Sequence, residues 1–172
     1  MVTTMTFGAA LRELRGAQKT AKGVSLYSRH INRPAGRVLA AAAYRSGLTP
    51  NQVTLLSGLF SLLAVIAVAL CRPSWGLGVA VYAALVAGFT LDSADGQLAR
   101  LRRESSPAGE WLDHVVDAGK ITALHAAVLI SFHRFFELPG EAWLLLPLGF
   151  QLTGVLIFTG GLLTDQLKRQ AA

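Results

Sequence analysis

The chain has 172 residues, enough for one domain. Apolar residues make up 52% of it and charged residues only 15%, where a soluble domain carries about a quarter, and the shortfall lies in long stretches almost free of charge, which points to a bilayer. The net charge of +6 comes without a recognition motif or aromatic interleaving, so nucleic acid is excluded as a partner.

Residues 1–24 are polar and mixed, with no apolar core of the kind a cleavable signal peptide has. They are expected to form a frayed or weakly helical cytoplasmic tail, with the first span acting as an uncleaved insertion signal. The remainder, 25–172, reads as one membrane domain. From Ser25 to Ser46, Leu26, Ile31, Val38, Leu39, Ala42 and Tyr44 alternate with Arg29, His30, Arg33, Arg37 and Arg45. That pattern predicts an interfacial amphipathic helix with its basic residues toward lipid headgroups. Pro34 suits a first helical turn. Arg29, Arg33 and Arg37 lie on one strip and are read as headgroup anchors ahead of substrate ligands.

Gly47 to Asn51 breaks the chain, and a first span follows at about 53–71 with no charge, close to the ~20 residues that cross a hydrocarbon core. Cys71, the only cysteine, lies at its end as a small apolar filler, so no intrachain disulfide can form. Arg72, Pro73 and Ser74 make an outer turn. The second span runs over about 75–98, with Trp75 and Tyr82 placed for an interface. A basic inner loop with Ser-Ser-Pro separates it from the third span at about 109–132. Pro139-Gly140 marks the second outer turn, and the fourth span covers about 142–163, where Gly154, Gly160 and Gly161 predict close helix packing. Of sixteen Lys and Arg, eight precede Asn51, three fall within 100–103 and two are Lys168 and Arg169. This asymmetry places both termini in the cytoplasm. The expected fold class is all-α, a polytopic transmembrane helix bundle behind an N-terminal interfacial amphipathic helix.

Ionisable residues within spans are costly and mark function. Asp92 and Asp95 are spaced i, i+3 and share a helical face, with Gly96 and Ala99 on or beside it. Asp113 and Asp117 are spaced i, i+4, and Gly109 lies one turn earlier on the same line. Antiparallel packing of the second and third spans can bring the four carboxylates together. Carboxylates that close need raised pKa values or cations between them, and hard divalent ions with oxygen ligands meet that need. Aspartates that merely cap helix ends would not come as two same-face pairs beside Arg100. Asn51 and Thr54 can either reach donor phosphates or cap the first span. Lys120, i+3 from Asp117, can bind an acidic acceptor or neutralise Asp117. His114 points about 100° away from Asp113, toward another helix or lipid, and His125 is read as a packed helix–helix contact.

The run Asp92-x-x-Asp95-Gly96-x-x-Ala99-Arg100, eight residues, then Gly109-x-x-x-Asp113-x-x-x-Asp117 resembles, at all eight positions, the signature of the CDP-alcohol phosphotransferases, also called CDP-alcohol phosphatidyltransferases. The segment Leu48 to Thr54 is similar to the one that precedes the first span in that family. The resemblance implies attack of an acceptor hydroxyl on a CDP-linked donor held on two Mg²⁺ or Mn²⁺ ions, with CMP leaving. It implies Asp92, Asp95 and Asp113 as metal ligands, and Asp117 as the general base that also touches metal. Gly96, Ala99, Arg100 and Gly109 would shape the nucleotide site, with Asn51 and Thr54 reaching toward it and Lys120 toward the acceptor. It further implies a homodimer in the bilayer, here expected in a bacterial cytoplasmic membrane with the site on the cytoplasmic side. The family ordinarily has six spans and four are read here, with the last two expected to be missing. Two other readings are a non-catalytic member that binds metal and nucleotide only, and a divalent-cation transporter. The latter would spread its carboxylates through the bilayer depth.

Overall fold

The computed structural model describes residues 5–16 and 25–171. It is all-α, as the charge-free runs require. Helix α1 is Phe7–Gly16, a π-helical turn covers Ser28–Asn32, and α2 is Arg33–Arg45. Four long helices follow: α3 Pro50–Leu70, α4 Trp75–Arg102, α5 Pro107–Phe135 and α6 Leu145–Gln170, the last entered through a 3-10 turn at Glu141–Leu144. All four are long and apolar enough to cross a membrane. The inner loop is shorter than the sequence suggests. Leu98 and Leu101 are buried, so α4 continues as helix to Arg102.

The chain divides into two compact units whose boundaries fall inside helices: Met1–Ser61 with Ala83–Val116, and Leu62–Tyr82 with Asp117–Ala172. In the first, Ala10 and Leu14 of α1 are fully buried with Ala40, Ala41 and Ala43 of α2 and with Ala94, Leu98 and Leu101 of α4. Of the frayed or weakly helical tail expected from the sequence, residues 7–16 form a helix, and it is packed. Small side chains on α2 let an amphipathic helix with only two fully buried positions find a partner. Residues 17–24 of that expected tail lie outside the described residues.

The segment from Tyr27 to Gly36 is stitched to one stripe of α4. The rings of Tyr27 and Phe89 stack with centroids 6.1 Å apart. Asn32 Nδ2 donates to the Phe89 carbonyl at 3.3 Å. Gln97 Nε2 donates to the carbonyls of Arg33 and Ser93, each at 3.1 Å. Pro34 sits in the first turn of α2, as its fixed φ favours. Large apolar side chains of this segment face outward, with Leu26, Ile31 and Val38 exposed, while Gly36, Ala40, Ala41 and Ala43 are buried against α4 and α1. The chain turns into α3 at Gly47, whose φ of 74° lies in the region that glycine tolerates.

Helices α3 and α4 meet through small polar residues. Ser57 Oγ donates to the Gly88 carbonyl at 2.8 Å. A Cβ on Gly88 would stand 2.6 Å from Ser61 Oγ and 3.1 Å from the Ser57 carbonyl oxygen. Gly88→Val is therefore expected to cost about 1–3 kcal/mol through overpacking. Thermal unfolding in detergent checks this: the midpoint falls for Gly88→Val but not for Gly76→Val, where nothing lies within 4 Å.

In the second unit, Val65 and Ala69 of α3 pack with Ala127 of α5. Gly154 of α6 lies close to α5, its Cβ position 3.1 Å from Ile121 Cγ2 and 3.6 Å from His125 Cε1. His125 is thus a helix–helix contact, its Nδ1 2.8 Å from the Ile121 carbonyl oxygen. At Gly160 and Gly161, unlike Gly154, nothing among the described residues stands within 4 Å of the Cβ position. Cys71 is exposed rather than buried filler. Trp75 is 95% exposed, and Phe150, Leu156, Ile157 and Leu163 line an outward apolar side of α6 suited to lipid tails.

Candidate metal and nucleotide site

The last third of α4 and the first turns of α5 supply the site. A cavity of about 180 Å³ is lined by Arg33, Asp92, Ser93, Asp95, Gly96, Gln97, Arg100 and Asp113. Five of these are signature positions: Asp92, Asp95, Gly96, Arg100 and Asp113. Asp92 and Asp113 offer carboxylate oxygens within 4.8 Å of each other. Asp117 follows one turn later on unbroken α5. Two carboxylates about 5 Å apart repel by roughly 3 kcal/mol at an effective dielectric near 20. A divalent cation reverses the sign of that interaction. Asp92 and Asp113 supply hard oxygen donors, the chemistry that suits a hard divalent ion and not a soft one.

Asp95 is held differently. It is 5% exposed, its Oδ2 accepts the Thr54 hydroxyl at 2.6 Å, and its Oδ1 accepts the Gly96 N–H. Thr54 also donates to the Pro50 carbonyl at 3.2 Å. Helix α3 is capped by its neighbours instead: Gln52 N–H donates to Thr49 Oγ1 at 3.3 Å and Thr49 N–H to Gln52 Oε1 at 2.9 Å, a capping box. The Thr54 hydroxyl, bound to Asp95, takes no part in this cap. Thr54→Val leaves a buried carboxylate oxygen without its donor, a loss of about 1–3 kcal/mol. Its unfolding midpoint is expected to fall, and Thr54→Ser to restore it. Equal midpoints for Thr54→Val and wild type would contradict this role for the hydroxyl.

Asn51 reaches α5: a Cβ on Gly109 would lie 3.2 Å from Asn51 Oδ1. Glycine at 109 is what lets the first turn of α5 come this close. Ala99 does not line the cavity. Its carbonyl accepts the Glu104 N–H at 2.9 Å, while Arg103 N–H donates to Arg100 at 3.2 Å, with Arg103 at φ 57°. This Schellman closure ends α4 just beyond Arg100. Lys120 Nζ lies 2.9 Å from Asp117 Oδ1, so of its two expected roles the structure contains the neutralising one. His114 pairs at 3.7 Å with Glu110 on its own helix, away from the carboxylates.

Sequence reasoning missed Arg33, Ser93 and Gln97 as lining residues. Gln97 carried a usable signal, since an uncharged polar side chain one turn after Ser93 in an apolar helix marks a packed or ligand-facing stripe. Arg33 carried none beyond its place in a basic strip.

The family model for CDP-alcohol phosphatidyltransferase matches residues 47–167, from the turn before α3 to near the end of α6. No curated protein is a significant match to the chain.

Proposed function

The chain belongs to the CDP-alcohol phosphatidyltransferase family, and from that premise we propose that it transfers a substituted phosphate from CDP-diacylglycerol to a small polar alcohol, releasing CMP. The observation that carries this reading is the gathering of Asp92, Asp95 and Asp113 around one cavity with Arg100. Carboxylates collected at one end of α4 and α5 suit a reaction site better than an ion path, which would need them at several depths.

Asp92, Asp95, Asp113 and Asp117 would hold two divalent ions, Mg²⁺ or Mn²⁺. Such ions, when bound, offset charge on the pyrophosphate and on departing CMP. Thr54 orients Asp95. Gly96 and Gly109 keep the nucleotide approach open, and Ala99 ends α4 so that Arg100 reaches donor phosphate. Asn51 stands near the start of α5 to contact the nucleotide. The acceptor oxygen attacks the phosphorus that bears the diacylglycerol, the P–O bond to CMP breaks, and Asp117 takes the acceptor proton. Lys120 holds Asp117 in place and presents positive charge to a phosphorylated acceptor. The membrane domain begins at about residue 25, works as a homodimer, and faces the cytoplasm of a bacterial cell with its site and both termini.

Radiolabelled CDP-diacylglycerol, Mn²⁺ and a panel of polar alcohols offered to the protein in liposomes test this. Metal-dependent CMP release together with labelled lipid product from one acceptor is expected. CDP binding without turnover for any acceptor would make this a non-catalytic member. Neither binding nor turnover would overturn the reading.

A further inference from the structure

We propose that Arg33 binds a phosphate of the CDP-linked donor, opposite Arg100, so that α2 supplies part of the substrate site. The inference rests on the functional reading above and extends it to a residue outside the segment 47–167 that the family model matches.

Arg33 lines the same cavity as Arg100, Asp95 and Asp113. Its backbone is fixed on both sides. The preceding Asn32 is 4% exposed and donates to Phe89. The Arg33 carbonyl itself takes the amide of Gln97, which is 1% exposed. One turn on, a Cβ at Gly36 would stand 2.8 Å from Ser93 Oγ and 3.0 Å from Gln97 Nε2. A headgroup anchor needs no such mounting, because long basic side chains find the interface by flexing. Arg29, on the same strip, is exposed and matches that simpler role.

Charge and size agree. Two arginines line a cavity of about 180 Å³, the room of roughly six waters, which a diphosphate group can enter. Guanidinium grips phosphate through paired N–H donors, which a lysine ammonium cannot copy. The carboxylates on the other walls would repel the same diphosphate, so cations on both sides of it meet a physical need.

The test uses the full chain in neutral detergent micelles, with CDP-diacylglycerol as substrate and soluble CDP as competitor. Arg33→Gln is expected to raise the KM for the donor and the inhibition constant of CDP together, by about ten- to a hundredfold, with kcat within about threefold. Arg33→Lys should recover part of the loss, and Arg29→Gln none of it should show. Unchanged KM in Arg33→Gln beside an active wild type would overturn the proposal and leave the functional reading standing. A lowered unfolding midpoint with unchanged KM would also overturn it, reducing Arg33 to a structural counter-ion of the aspartates. Equal losses in Arg33→Gln and Arg29→Gln that anionic lipid restores would reduce it to an anchor. A wild type that neither binds CDP nor releases CMP would sink both proposals.

Discussion

Asp117→Asn is expected to lower CMP release by about 10²–10⁴-fold at saturating Mn²⁺, the range that removal of a positioned general base produces. Asparagine keeps the shape and one oxygen, so CDP and metal should still bind; the half-saturating Mn²⁺ concentration should rise with the lost ligand charge, and kcat should stay low even when metal saturates. Asp117 suits the role because it is the last carboxylate of the series on α5 and already carries a cationic neighbour, Lys120 at 2.9 Å. That neighbour orients the carboxylate before an acceptor arrives. Steady-state assays over a range of Mn²⁺ concentrations check the prediction. A variant that recovers full activity at high Mn²⁺ would make Asp117 a metal ligand only.

Asp113→Ala should fail in the opposite way. Asp113 on α5 offers a carboxylate oxygen within 4.8 Å of one from Asp92 on α4, and it lines the cavity with Asp95 and Arg100. Its loss should raise the half-saturating Mn²⁺ concentration at least about tenfold, since affinity for hard ions follows the number of charged ligands. Chelator should silence the wild type, and added Mn²⁺ should restore it. Comparing the two variants separates roles that share one helix face: Asp117→Asn lowers kcat at any metal level, while Asp113→Ala shifts the metal dependence. Identical metal curves for Asp113→Ala and wild type would contradict the assignment.

The four long helices were legible because a charge-free run near twenty residues has few alternatives in a chain so poor in charge. Their inner ends were harder to place. α4 runs on to Arg102 because Leu98 and Leu101 find a buried surface, and apolarity along the sequence does not record which side will be covered. The carboxylate pairs were legible through helical spacing alone, and the structure places Asp92, Asp95 and Asp113 around one cavity. Other contributions depended on tertiary approach. Nothing local to Ala10 and Leu14 says that α2 will offer a surface of alanines. Nor does the basic strip of α2 say which arginine lines the cavity; Asn32 and Gly36, flanking Arg33, fix that part of the chain on α4. Gly154 packs while Gly160 and Gly161 do not, because a small residue permits close approach without causing it.

The account turns on divalent metal held by the aspartates of α4 and α5 against a nucleotide diphosphate. Electron paramagnetic resonance of Mn²⁺ titrated with the purified protein, with and without CDP, tests this most directly and needs no acceptor. The expected result is loss of the free Mn²⁺ signal in the wild type, tighter in the presence of CDP and weakened in Asp113→Ala. Free Mn²⁺ signal undiminished by the wild type, with CDP present or absent, would contradict the account.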